Sequence, residues 1–364
     1  MLLISCAGAR PSAVSPAWGE LKPGPFPVGY RTMLVHDVAR PALDKSDQPG
    51  RRLLVSLWYP ARDAGQRISL GGYVELSGHP ANPSGMTDLQ KADARDRFVK
   101  QRSADGAAEA DVRKLLEIAT EASRDAPPQS GRFPIALFIH ADPLGESVMS
   151  EYLASNGFIV AATESQGSFQ PAYRLSVADL ETMVRDAESV LRAGRALSSA
   201  APGRFAAIGM SNGALAAVKL ALRNRDLRAI VSLDGTIGEQ AAARVIPGDP
   251  YYDLARISAP IAHFYTDRNA YLQLDQLKGW SHSPRFLVLM REMRHPEFLA
   301  HAEFERFVPG IAGRPEGAAG SAYEWLCKKT LAFLQAALAD GDLEAIFRED
   351  DGGFPVTALP AQSN

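Results

Sequence analysis

The chain has 364 residues, of which 46% are hydrophobic and 22% are charged, and its formal net charge is −3. These values are typical of a globular protein with a large core, and the length fits an α/β fold that carries an insertion. The nearly balanced charge and the lack of a long basic run give no indication of nucleic-acid binding. No apolar run is long enough to span a bilayer.

The first residues leave two interpretations open. Leu3-Ile4-Ser5-Cys6 resembles the lipobox of bacterial lipoproteins, in which the cysteine is lipidated after cleavage, but no charged segment and almost no apolar segment precede it. The chain is therefore either anchored at Cys6 in a bacterial cell envelope or periplasm, or begins with an unstructured cytoplasmic leader. Pro, Gly, Ala and Ser dominate the following residues, so residues 1–27 are predicted to be a leader or disordered tail.

The folded part is predicted to begin with two strands. Residues 28–37 and 52–60 have the apolar, β-branched composition of an antiparallel pair. Residues 63–131 are polar and charged and are predicted to form an insertion that interrupts the sheet, with a helix over 110–122. A cap over the site and a surface insertion without a role in substrate choice both fit this composition.

Strands and helices then alternate. Strands are predicted at 134–139, 158–162, 205–208, 229–233, 260–265 and 285–290. Helices are predicted at 146–155, 177–197, 214–222 and 322–338, the second of them capped by Ser176. This order predicts an α/β fold over residues 28–340 with a mostly parallel central sheet flanked by helices, followed by a C-terminal tail over 341–364. Ligands bind beyond the carboxyl ends of such strands.

The most informative segment is Gly209-Met210-Ser211-Asn212-Gly213. It follows a short apolar strand and precedes a run of helix formers, which is the context of a nucleophile elbow. Such a turn holds its serine in a strained backbone conformation, and side chains in place of the two glycines would collide with the neighbouring strand and helix. The N–H of Asn212, at the start of the helix, is predicted to face a developing oxyanion.

A serine nucleophile needs a base, and the base needs an acid that fixes its tautomer. The chain order serine, acid, histidine excludes the histidines before Ser211. His263 lies inside a predicted strand and His282 precedes the last one, which leaves His295 and His301 as candidate bases. His295 is preferred because it directly follows the last predicted parallel strand. Asp234 and Asp267 end the two strands after the elbow, and Asp234 is preferred because its strand stops abruptly in a turn.

The loop after the strand at 134–139 must supply the second oxyanion donor. Pro143 has no N–H, which leaves Asp142 and Leu144. The two cysteines, Cys6 and Cys327, have no metal-ligand spacing, and Cys327 lies in a helical pattern typical of a buried apolar residue. No metal and no organic cofactor is expected.

Several segments together resemble one superfamily. They are Trp58-Tyr59-Pro60, Phe138-Ile139-His140, the elbow, Ser232-Leu233-Asp234-Gly235 and His295-x-x-Phe298. In this order, over about residues 28–340, they resemble the α/β-hydrolases, and within them the branch of platelet-activating-factor acetylhydrolases and dienelactone-hydrolase-like proteins.

The resemblance bears on the choice of acid. The acetylhydrolase branch takes its acid from the strand directly after the elbow, which implies Asp234, whereas the dienelactone branch implies Asp267. The chain departs from the family pattern at Ala141, where glycine is usual, and at Ser211, where dienelactone enzymes use cysteine.

The motifs and the resemblance predict a serine hydrolase that cleaves a small-molecule carboxylic ester through an acyl-enzyme intermediate. Ser211, His295 and Asp234 form the expected triad, with Asn212 and Asp142 at the oxyanion. A thioester or amide hydrolase with the same triad, and a non-catalytic binding protein of hydrolase-like fold, remain alternatives.

Overall fold

The computed structural model describes residues 13–41, 50–78, 85–168, 173–174, 176–313, 319–348 and 353–361. Across these ranges one sheet is built from the strands β1 (Val28–Asp37), β2 (Arg51–Pro60), β3 (Arg67–Ser69), β4 (Ala119–Arg124), β5 (Phe133–Ile139), β6 (Ile159–Thr163), β7 (Ala200–Met210), β8 (Leu227–Leu233), β9 (Ile261–Tyr265), β10 (Arg285–Leu289) and β11 (Val356–Leu359). The helices are α1 (Leu70–Gly78), α2 (Asp88–Ala104), α3 (Glu109–Leu116), α4 (Ser147–Ser155), α5 (Val177–Arg195), α6 (Asn212–Arg223), α7 (Gln240–Val245), α8 (Asp275–Gly279), α9 (His301–Phe304), α10 (Ala319–Leu338) and α11 (Leu343–Arg348).

The strand order is β11-β10-β9-β8-β7-β5-β6-β2-β1-β4-β3. The six central strands from β10 to β6 are all parallel, while β2 pairs antiparallel with both β6 and β1. Helices α5, α6 and α8 pack on one face of the sheet, and α4, α10 and the helices of the insertion pack on the other. This is the predicted α/β architecture, and it brings the carboxyl ends of the central strands to one edge.

Local patterns predicted most of the elements correctly. Strand β1 has the predicted bounds and pairs antiparallel with β2 from Val28–Pro60 to Asp37–Arg51. Ser176 caps α5, because its Oγ accepts the N–H of Asp179 at 3.0 Å. Cys327 is fully buried in α10, as its helical pattern predicted.

The insertion extends the sheet rather than interrupting it. The predicted helix over 110–122 ends at Leu116, and residues 119–124 form β4 instead. β4 lies parallel to β1, with Ala122 opposite Val28, and β3 pairs with its other edge. The helix ends early because pairing with β1 satisfies backbone groups of β4 and buries Thr120, which a longer helix would not do.

The N-terminal segment is packed from residue 13 onward, which corrects the prediction of a disordered tail over 1–27. Trp18 is fully buried, and its Nε1 donates to Oε2 of Glu151 in α4 at 2.9 Å. Further along, the N–H of Gly24 donates to Ser155 Oγ at 3.0 Å. Burial of the indole, together with these hydrogen bonds, holds the segment on the domain. Cys6 and the lipobox-like residues lie outside the described residues.

The predicted boundary at residue 340 is also wrong. Helix α11 places Phe347 against Phe286 of β10, with ring centroids 4.8 Å apart. β11 then pairs antiparallel with β10, Arg285 lying opposite Leu359. The segment belongs to the domain because it covers an edge of the sheet that would otherwise expose unpaired backbone groups.

In the stretches of chain that the structure describes, no helix combines the length and the apolar character needed to cross a membrane.

Candidate active site

The elbow has the geometry that its sequence predicts. Ser211 joins β7 to α6 with φ 52° and ψ −122°, a conformation that L-residues rarely adopt. A Cβ on Gly209 would collide with the backbone of Ala214 in α6, and a Cβ on Gly213 would collide with the carbonyl of Ile139 in β5. The strand and the helix can approach this closely only because both positions are glycine.

The preferred acid and base are in direct contact. Asp234 follows β8 and is 4% exposed, and His295 begins a 3₁₀ turn that follows β10. His295 Nδ1 lies 2.6 Å from Oδ2 of Asp234, and Oδ1 of Asp234 accepts the N–H of Thr266 at 3.3 Å. An ionised Asp234 makes Nδ1 the donor, which leaves Nε2 of His295 to accept a proton.

The alternative acid lies elsewhere. Asp267 is exposed at the surface, where Arg291 Nε contacts its Oδ2 at 3.1 Å. The structure thus brings Asp234, and not Asp267, to His295. The alternative base, His301, is the first residue of α9, and its Nδ1 is buried without a hydrogen-bond partner among the described residues.

Ser211 and His295 open into one cleft of about 620 Å³ at the carboxyl edge of the sheet. The cleft is lined by His140, Ala141, Asp142, Glu164, Ser165, Gln166, Met210, Ser211, His295, Pro296, Leu299 and His301. The three residues expected to form the triad follow three different parallel strands, and the position of those strand ends explains why they lie at the same edge.

Of the two expected oxyanion donors, Asn212 directly follows the serine and Asp142 lines the same cleft. Asn212 is the first residue of α6, where backbone N–H groups have no partner within the helix. Oδ1 of Asp142 accepts the N–H of Leu144 at 3.0 Å and of Gly145 at 2.9 Å, so Leu144 is not available as a donor. The N–H groups of Asp142 and Ala141 donate no hydrogen bond within the described chain.

The sequence did not single out two ionisable residues of the cleft. Burial and the neighbouring His295 lower the pKa of His140 to about 4, so its imidazole is neutral near pH 7. Burial and the charge of Asp142 raise the pKa of Glu164 to about 7. Glu164 directly follows β6, so the rule that located Asp234, a carboxylate at the end of a parallel strand, would also have located it.

No protein-family model matches the sequence, and no curated protein matches it. Among solved structures, 588 chains match the fold. One is a ferulic acid esterase from Streptomyces cinnamoneus, with a TM-score of 0.63, 17% sequence identity, and coverage of 92% of this chain and 96% of that one. The protein has the α/β-hydrolase fold. At this identity the likeness establishes the fold alone, so the chemistry must be argued from the cleft.

Proposed function

We propose that the protein is a serine hydrolase that cleaves small-molecule carboxylic esters through an acyl-enzyme intermediate. The observation that carries the proposal is the 2.6 Å contact of His295 with the buried Asp234, in the cleft that a strained Ser211 also lines. A fold shared with a ferulic acid esterase is consistent with ester hydrolysis. The position of Asp234 after the strand next to the elbow favours the acetylhydrolase branch over the dienelactone branch.

The reaction follows from these positions. Ser211 Oγ attacks the carbonyl carbon of the ester while His295 Nε2 takes the hydroxyl proton. Asp234 holds the ring and stabilises the imidazolium. The N–H groups of Asn212 and Asp142 donate to the oxyanion, and the loss of one such donor lowers kcat by about 10²- to 10³-fold.

The intermediate then collapses. The bond between the carbonyl carbon and the alcohol oxygen breaks, and His295 returns its proton to the leaving alcohol. Water enters, His295 takes one of its protons, and the resulting hydroxide attacks the acyl-enzyme. The carboxylic acid leaves, and Ser211 regains its proton from His295.

Labelling with a fluorophosphonate probe tests the proposal. We expect the probe to modify Ser211, as read by peptide mapping, and Ser211→Ala to abolish both labelling and the hydrolysis of p-nitrophenyl acetate. Ser198→Ala is the matched control, because Ser198 is exposed and lies outside the cleft. A Ser211→Ala protein that cleaves the ester at the wild-type rate would overturn the assignment.

The same preparation separates the alternatives. Oxoesters, thioesters and aminoacyl anilides of one acyl group, compared by kcat/KM, show which leaving group the cleft accepts. A protein that neither reacts with the probe nor cleaves any of them is a binding protein of hydrolase-like fold.

A further inference from the structure

The backbone behind one cleft wall is hydrogen-bonded to a buried arginine. This wall consists of Glu164, Ser165 and Gln166, which line the cleft in the loop that follows β6. Arg51, the first residue of β2, is 2% exposed and contacts the same loop. Its Nη1 donates to the carbonyl of Gly167 at 2.9 Å, and its Nη2 donates to the carbonyl of Gln166 at 3.2 Å. A side chain of another strand therefore binds the backbone of the wall.

The register of the sheet explains how this arginine reaches the wall. β2 pairs antiparallel with β6, and Val55 lies opposite Thr163, the last residue of β6. Because the two strands run in opposite directions, the residues of β2 before Val55 extend beyond the end of β6. Continued by four residues, the register brings Arg51 level with Gly167, whose carbonyl it binds.

An aspartate of α5 fixes the arginine in turn. Nε of Arg51 donates to Oδ1 of Asp186 at 2.8 Å, and Nη2 donates to Oδ2 at 2.6 Å, which makes a bidentate ion pair. Asp186 is also 2% exposed, so the pair is shielded from solvent. A guanidinium can bind both carboxylate oxygens and two carbonyls at once because its N–H groups form a rigid planar fork, whereas an ammonium group lacks this geometry. The arrangement therefore requires an arginine and not only a positive charge.

Close packing does not hold the wall at every point. A cavity of about 10 Å³, room for about one water molecule, has Ser165 of the wall and Asp186 of α5 in its lining. Farther along the loop, the N–H of Ser168 donates to Oδ1 of Asp179 at 2.8 Å. The loop is thus held by hydrogen bonds at neighbouring points, and those from Arg51 are the ones that reach a cleft-lining residue.

We propose that Arg51 is a positioning residue that sets the place of the wall over residues 164–166, and with it the width of the cleft in which the ester binds. The inference rests on the proposed esterase function and concerns how its site holds the substrate. None of the hydrogen bonds that Arg51 makes within the described chain goes to the expected triad. Its role therefore lies in substrate binding and not in the chemical step.

Steady-state kinetics with p-nitrophenyl butyrate separate binding from chemistry. Arg51→Lys keeps a positive charge beside Asp186 but cannot also bind the two carbonyls. We expect KM to rise by about tenfold while kcat stays within about twofold of the wild type, because a displaced wall weakens binding of the ground state and the transition state equally. Hydrogen exchange of a peptide over residues 164–168 should become about tenfold faster, whereas that of the elbow over residues 209–215 should not change.

Arg40→Lys is the matched control. Nη1 of Arg40 contacts Oδ1 of Asp186 at 2.7 Å, and its Nε donates to Asp37 at 2.7 Å, but in the described chain it donates nothing to the wall. The substitution perturbs the same buried carboxylate as Arg51→Lys without removing a bond to the loop. It should leave KM, kcat and the exchange of residues 164–168 unchanged.

A double variant covers the case in which Arg51→Lys does not fold. Arg51→Met combined with Asp186→Leu replaces the buried ion pair by apolar side chains, a change that is often neutral for stability. The protein then lacks the donors to both carbonyls, so KM should rise as in Arg51→Lys. If neither variant folds, Arg51 has a structural role only and the positioning role is wrong.

The remaining outcomes separate the inference from the function. If the Arg51 variants keep the wild-type KM, if kcat falls and KM does not rise, or if Arg40→Lys raises KM equally, the positioning role is wrong while the esterase function stands. If the fluorophosphonate probe leaves Ser211 unmodified and the wild-type protein cleaves no ester, the function is wrong and the inference with it.

Discussion

Two buried glutamates, one at the N-cap of helix α4 and one within that helix, have different surroundings. Glu146 and Glu151, before and within α4, are both 1% exposed. Oε1 of Glu151 accepts the hydroxyl of Tyr73 at 2.6 Å, and its Oε2 accepts Nε1 of Trp18 and the N–H of Glu121, both at 2.9 Å. Oε2 of Glu146 accepts nothing in the described chain.

The difference shows that burial alone does not identify a functional group. Glu151 joins the N-terminal segment, α1 and β4 to α4, so its hydrogen bonds explain its presence in structural terms. Oε2 of Glu146 has no partner among the described residues, and the neighbouring carboxyls of Asp142 and Glu164, which line the cleft, raise the pKa of Glu146 further. We therefore expect substitutions in the cleft to change activity, and substitutions around Glu151 to change stability.

The largest expected effect is the loss of activity when the proposed catalytic acid, Asp234, is replaced. Asp234→Asn keeps the size of the side chain, but its amide donates to His295 Nδ1 and forces the ring into the wrong tautomer. We expect kcat for p-nitrophenyl acetate to fall by about 10⁴-fold, while Tm stays unchanged. Asp267→Asn, in the exposed pair with Arg291, should retain full activity. If Asp267→Asn loses activity and Asp234→Asn retains it, the acid is Asp267.

The next-largest expected effect concerns Glu151 and is a change of stability with pH. Burial raises the pKa of Glu151 from 4.5 to about 7 although three hydrogen bonds oppose it. Between pH 4.5 and about pH 7 the folded protein keeps the proton of Glu151, whereas the unfolded chain has lost it. The free energy of unfolding therefore falls as the pH rises through this range. Glu151→Gln lacks this titration.

Urea unfolding at pH 5 and at pH 7.5 measures the effect. The free energy of unfolding of the wild type should fall relative to that of Glu151→Gln by up to about 3 kcal/mol over this interval. Glu109→Gln, which changes an exposed glutamate of α3, should follow the wild type at both values. A wild-type protein that gains stability relative to Glu151→Gln would reverse the sign and contradict the raised pKa.

The smallest effect concerns the donor to Glu151. Tyr73→Phe removes the hydroxyl that donates to Glu151 and that accepts Nε1 of Trp58 at 2.8 Å. Leaving these buried groups unpaired should lower the free energy of unfolding by about 2 kcal/mol, with kcat/KM unchanged. Tyr271→Phe, at an exposed position, is the control and should have no effect. Lost activity in folded Tyr73→Phe protein would remove the distinction between the two regions.

Local patterns predicted what is determined locally. The elbow around Ser211, the bounds of β1 and the cap at Ser176 depend on neighbouring residues, and each follows the sequence expectation. The motifs that resemble the α/β-hydrolases predicted the specific fold, and the order of alternating strands and helices predicted its mostly parallel sheet. It also indicated which strand ends could carry the triad.

Elements with distant partners were predicted less well. β4 forms because β1, nearly a hundred residues earlier, offers it an edge, and Trp18 is buried because Glu151 accepts its indole N–H from 133 positions away. The preference for Asp234 rested on a turn pattern, whereas the structure adds the pairing of Asp267 with Arg291. Such contacts depend on tertiary packing that periodicity does not encode.

The anchoring of Trp18 has a consequence for biosynthesis. The indole leaves the ribosome 133 residues before the carboxylate that will receive it. At ordinary translation rates of about 5–20 residues per second, the 133 residues take about 7 to 27 seconds to make, and the apolar ring stays uncovered for that time. During that interval the nascent chain presents a binding site for chaperones, and the early segment can dock only after α4 has been made.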